Sequence, residues 1–131
     1  MLLYGESPAS GEPTLELYRR AVPVDGAVLE TASALLASAL ERWGWAAAID
    51  AANACLTAVL AAVVDAGADA VELFAFRRAH QLNVEVHFSG ASTRFQDLLA
   101  SDARLARIEL LSELWGVRPL NDGEAVWFEL Q

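Results

Sequence analysis

A chain of 131 residues and 14.1 kDa, 55% hydrophobic and 21% charged, has the size of one ordinary domain and enough apolar surface to offset its ordering entropy, which excludes a multidomain enzyme and a disordered tail. Asp and Glu number 18 against 9 basic residues, every one an arginine, so the net charge is −9. Phosphate-backbone binding depends on clustered cations, so the balance argues against a direct nucleic-acid partner.

In chain order, residues 1–14 carry Gly5, Pro8, Gly11 and Pro13 and read as an N-terminal arm, with room for a short strand through Leu2 to Tyr4. The domain proper is expected over 15–131. Leu15 to Arg20 alternates as a strand. Pro23 stops it, and Asp25 is placed to cap a helix carrying Val28, Ala32, Leu35, Leu36, Ala39, Leu40 and Trp43 on one stripe. Gly44 offers a left-handed C-cap. A second helix follows over Ala46 to Val64 with Ile49, Ala52, Leu56, Val59, Leu60 and Val63 on one face, closed by Asp65-Ala66-Gly67.

Ala70 to Arg77 and Leu82 to Phe88 are expected as paired strands, with Leu82, Val84, Val86 and Phe88 facing a core and Asn83, Glu85 and His87 facing away. Ser89 to Thr93 reads as a mobile loop, and the segment on to Ser101 carries no clear period. A third helix is expected from Asp102 to Leu114, burying Leu105, Ile108, Leu111 and Trp115, with Gly116 ending it. Val117 to Leu120 and Glu124 to Leu130 then form a hairpin about Asn121-Asp122-Gly123, with Val126, Phe128 and Leu130 inward. These elements predict an α+β two-layer sandwich, a mostly antiparallel sheet with three helices on one face.

Ala46 to Val64 approaches the length of a membrane span, but Asp50 and Asn53 interrupt it and no Lys/Arg cluster flanks it, so a buried helix is the better reading and no membrane partner is expected. Met1 to Ser10 lacks the basic and apolar regions of a signal peptide, which points to the cytoplasm. Cys55 has no second cysteine to pair with, and two histidines and one cysteine spread along the chain do not make a zinc site. No metal is expected.

The tail Leu114-Trp115-Gly116-Val117-Arg118-Pro119-Leu120, then Gly123 and Val126-Trp127-Phe128-Glu129-Leu130, resembles the end of small bacterial histidine-kinase-like (GHKL) ATPase domains, among them the anti-sigma-factor serine kinases. Weaker matches follow the same order upstream: Arg20-Ala21-Val22-Pro23-Val24-Asp25, Trp43-Gly44 and Val84-Glu85-Val86. The resemblance spans about residues 15–130 and implies the histidine-kinase-like ATPase fold.

It also implies where ATP chemistry would lie. In the family a helix motif Glu-Leu-Val-Thr-Asn-Ala supplies a base and an Mg²⁺ ligand; the matching stretch here is Thr57-Ala58-Val59-Leu60-Ala61-Ala62, so Thr57 stands for the Glu and Ala61 for the Asn. A second register puts Asn53-Ala54 at the metal ligand and Ile49 at the Glu. No register restores the Glu, because none occurs between Glu41 and Glu72. The adenine-binding Asp falls on Phe88. The glycine-rich phosphate lid falls on Asp102-Ala103-Arg104, with Arg94 and Arg107 nearby.

Other side chains point weakly to chemistry. Thr57 fits a hydroxyl bonded back to its own helix, His80 and His87 fit solvated positions, and Cys55 fits a buried apolar residue. Trp43 and Trp115 are assigned to the core. Phe74, Phe76 and Trp127 share the outer face of the sheet and make a candidate interface, with Trp45 unassigned.

The expectation is a pseudo-ATPase: a regulatory protein–protein interaction module without cofactor, related to anti-sigma-factor kinases, with a vestigial pocket at Thr57, Ala61, Phe88, Asp102 and Arg104. The resemblance implies a sigma factor, an anti-anti-sigma-like protein or another transcription regulator as partner. The alternative is an active serine/threonine kinase holding ATP and Mg²⁺ through relocated ligands such as Asp50, Asn53 or Asp102. A homodimer or homo-oligomeric structural protein is the third reading.

Overall fold

A computed structural model describes residues 16–78 and 80–130; the N-terminal arm, with its expected strand through Leu2 to Tyr4, lies outside them. Strand β1 (Glu16–Val22) leads to helix α1 (Val28–Arg42), a three-ten turn at Ala46–Ala48 and helix α2 (Ile49–Asp65). Strands β2 (Ala70–Arg78) and β3 (Gln81–Ser89) follow, then helix α3 (Phe95–Ser101), a three-ten turn at Ala103–Leu105, helix α4 (Ala106–Leu111), and strands β4 (Leu114–Pro119) and β5 (Gly123–Leu130). The five strands form one sheet in the order β1-β2-β3-β5-β4, and every neighbouring pair is antiparallel.

The α+β class and the antiparallel sheet agree with the sequence, but four helices replace the expected three. The segment from Asp102 to Leu114 is not one helix. Asp102 is extended (φ −112, ψ 107) and divides α3 from the turn that follows it, and extended Ser112 (φ −101, ψ 153) ends α4. Trp115 lies in β4 opposite Phe128, and Gly116 sits in mid-strand opposite Trp127. Leu111, expected in the core, is 42% exposed. The three- and four-residue spacing of Ile108, Leu111 and Trp115 spans a change of period: from Leu114 onward the side chains alternate between faces as a strand requires.

The expected C-caps close α1 and α2 in the same way. Gly44 has φ +78, its amide donates to Glu41 and that of Trp45 to Leu40; Gly67 has φ +99, with amides of Gly67 and Ala68 donating to Val64 and Val63. Both are Schellman closures, in which a residue free to adopt positive φ lets the chain turn back and satisfy the last carbonyls. Asp25 acts two residues before the cap rather than as the cap itself: its carboxylate accepts from the Ala27 amide at 2.9 Å while Ala27 holds the cap position.

Leu36, Leu40, Leu56, Val59, Leu60 and Val63 are fully buried and join the inward side chains of the strands, Leu73, Ala75, Leu82, Val84, Val86, Val126 and Phe128, in one core. Burying each large apolar side chain contributes about 1.5–3 kcal/mol, against roughly 0–1 kcal/mol for an exposed ion pair, so this seam holds the two layers together. The three-ten turn and α2 together form one helix long and apolar enough by composition to cross a membrane. In the fold its apolar face meets the core.

Candidate functional site

The positions to which the resemblance assigns ATP chemistry occupy α2, the end of β3 and the turn after α3. On α2, the Thr57 hydroxyl donates to the Asn53 carbonyl at 2.8 Å, the local bond expected of a helical threonine. Ala61, one turn on, has no donor to offer. The side-chain oxygen of Asn53 is buried with no hydrogen-bond partner among the described residues; it is one ligand atom, and no carboxylate accompanies it at the position of the family's base.

Phe88, where the adenine-binding Asp would stand, is 4% exposed, and its ring lies 6.3 Å from that of Phe95, which is fully buried. Phe95 opens α3, and its amide donates to the Glu124 carboxylate at 2.9 Å. The loop before it, read from sequence as mobile, is tied down: the Asp69 amide donates to the Ser89 carbonyl, and both the amide and the hydroxyl of Ser92 donate to the Ala66 carbonyl. A cavity of about 290 Å³ remains between this loop and the β4–β5 turn. Its charged lining is Arg94 against Asp122 and Glu124, an acidic excess that repels a triphosphate.

In the third region the Arg104 guanidinium donates to Asp102 at 2.6 Å and to Asp65 at 2.9 Å. Those hydrogen bonds raise the arginine further above its ordinary value, and the side-chain and backbone bonds from Arg104 hold the Asp102 carboxyl below the usual carboxylate range. The cation nearest the supposed lid is thus committed to two carboxylates. Taken together, the residues at these positions do not fit Mg-ATP: a hard cation needs several oxygen ligands, and one asparagine oxygen, an alanine, a core phenylalanine and a neutralised arginine do not supply them.

Phe74, Phe76 and Trp127 do share the outer face: Phe74 and Trp127 each lie between buried neighbours, and Phe76 follows Phe74 by the two-residue period of the strand. A charged residue lies between two of them. Phe74 and Trp127 both stand opposite Glu85 in the register, and Glu85 takes hydrogen bonds from His87 at 2.9 Å and Arg118 at 3.0 Å. Burial alone would raise the Glu85 carboxyl, yet those bonds and the nearby charges outweigh it and hold the group below its ordinary value. The Phe74 ring lies between His87, with ring centroids 4.1 Å apart, and the Arg19 guanidinium, 5.3 Å away. His87, read from sequence as solvated, is therefore half-buried and engaged.

Sequence reasoning missed Phe95 and Glu124, because the partner of the α3 amide comes from β5 and leaves no local capping signature. Trp45 and Trp43 both pack against the core as partly buried residues. Comparison of the chain with protein-family models gives no match, and none of the curated proteins matches it.

Proposed function

We propose that this protein is a protein-binding regulatory module on a histidine-kinase-like ATPase scaffold, a pseudo-ATPase whose nucleotide pocket is closed by its own side chains. The observation that carries the reading is the packing of Phe88 on Phe95 inside the core, at the position where the resemblance puts a carboxylate for adenine. The Arg104 pairing with Asp102 and Asp65 adds support. On the same resemblance the partner is a transcription regulator, with a sigma factor or an anti-anti-sigma-like protein as the first candidates, and the module works in the cytoplasm.

One observation favours the kinase reading, the unpartnered Asn53 oxygen on α2, because the second helix register makes that residue the metal ligand. Titration with Mg-ATP and Mg-ADP separates the two, read by calorimetry and by the rise in melting temperature that any ligand of the native state produces. The module reading expects neither heat nor shift at millimolar nucleotide. Saturable binding abolished by Asn53→Ala would overturn it in favour of the kinase.

A further inference from the structure

A second surface, on the far side of the sheet from β1, has the features of a binding groove. Strand β4 is an edge of the sheet. The Leu120 amide donates to the Gly123 carbonyl at 2.9 Å, and hydrogen bonding in an antiparallel pair alternates, so the amides and carbonyls of Trp115 and Val117 point to the open edge. Pro119, next in that series, has no amide to leave unpaired, which is where an edge strand accommodates proline.

Beside this edge a cavity of about 400 Å³ lies between β4 and the helices above it, lined by Leu99, Leu105, Ala106 and the half-buried Trp115, with Asp102 and Glu109 as its charged side chains among the described residues. Asp102 is paired with Arg104, while Glu109 is exposed and forms no ion pair among the described residues. Leu110 and Leu111, exposed by 81% and 42%, follow on α4, while Leu114, next to Trp115 in the strand, stands on the opposite face of β4.

We infer that the β4 edge and this groove bind an extended segment of another protein, which adds a strand beside Trp115 and Val117, places an apolar side chain in the groove and brings a basic side chain to Glu109. Backbone pairing supplies affinity and the groove supplies selectivity, as strand addition does generally. Glu109, the lining carboxylate with no ion pair among the described residues, selects the sign of the occupant, and a net charge of −9 opposes a second copy of the chain. The inference rests on the binding-module reading and goes further, since it names the surface and the chemistry of the segment.

The test is a ¹⁵N-resolved titration of the full chain with a synthetic seven-residue peptide alternating arginine with leucine and valine, beside a peptide in which glutamate replaces arginine. The basic peptide should shift the amides of Trp115, Val117 and Ala106 saturably, and the acidic one should not. Ala106→Tyr fills the groove from an exposed position and should weaken binding at least about tenfold, the loss of one well-buried contact; Glu109→Arg should weaken it about threefold, as an exposed pair does. Equal response to both peptides, response elsewhere, no response at millimolar peptide, or unchanged binding in both variants would overturn the inference. So would concentration-dependent self-association lost in Ala106→Tyr, which would make a second copy the occupant. If Ala106→Tyr fails to fold, Glu109→Arg carries the test alone. Mg-ATP added to the same sample keeps the two readings apart: shifts at Phe88 and Phe95 would sink the pseudo-ATPase and leave the peptide result standing.

Discussion

The indole of Trp127 lies so close to Gly116 that a Cβ added there would stand 2.5 Å from Cζ2. Glycine is required at this point of β4 by the neighbouring ring, not by its backbone angle. Gly116→Ala should therefore destabilise the domain by about 1–3 kcal/mol, the usual cost of overpacking, read as a lower urea midpoint. Trp127→Leu in the same chain should recover part of the loss, and simple additivity of the two substitutions would show that they do not meet.

Placing at position 88 the carboxylate that the resemblance implies tests the proposed closed pocket. Phe88→Asp would place a charge in a site 4% exposed, and we expect a loss of more than about 3 kcal/mol or outright unfolding, with no nucleotide binding gained. A folded Phe88→Asp variant that binds Mg-ATP would mean the pocket is present and gated by this one residue.

Glu85 sets an acid limb. Its folded pKa lies below the ordinary value because the bonds from His87 and Arg118 outweigh burial, so its stabilisation is complete above the unfolded carboxylate pKa of about 4.3 and is lost as pH falls through the lower folded value. Glu85→Gln should lower the melting temperature at neutral pH, and the deficit should shrink once the pH is below about 4. A deficit of the same size across that range would assign the effect to packing instead.

Cys55 is fully buried, and burial pushes its thiol up to about 11, leaving roughly one molecule in 10⁴ as thiolate at neutral pH. Ellman's reagent should be nearly inert toward the native protein and should label it fully in denaturant. Native labelling at the denatured rate would mean that the helical layer opens far more readily than its packing implies.

Much of the fold was legible from periodicity and turn chemistry. The alternation of Leu82, Val84, Val86 and Phe88 marked β3, and Gly44 and Gly67 marked helix ends because positive φ is hard for other residues. What failed was local reasoning where the determinant is distant. Phe95 begins a helix whose first amide is satisfied from Glu124, and Trp115 continues a helical spacing while belonging to a strand paired with Phe128. At the candidate site the sequence offers only what the resemblance implies, Phe88 in place of a carboxylate and Ala61 in place of an amide; the pairing of Arg104 with Asp65 joins residues far apart in the sequence and needed the structure.

The hydrogen bond from the Phe95 amide to Glu124 also orders events in time. A helix of seven residues is too short to persist alone, and here its first turn is anchored by a side chain from the last strand of the sheet. Glu124 stands 29 residues further along the chain, so α3 has no anchor until β5 has paired in the sheet, and the helical layer over Phe88 depends on that strand.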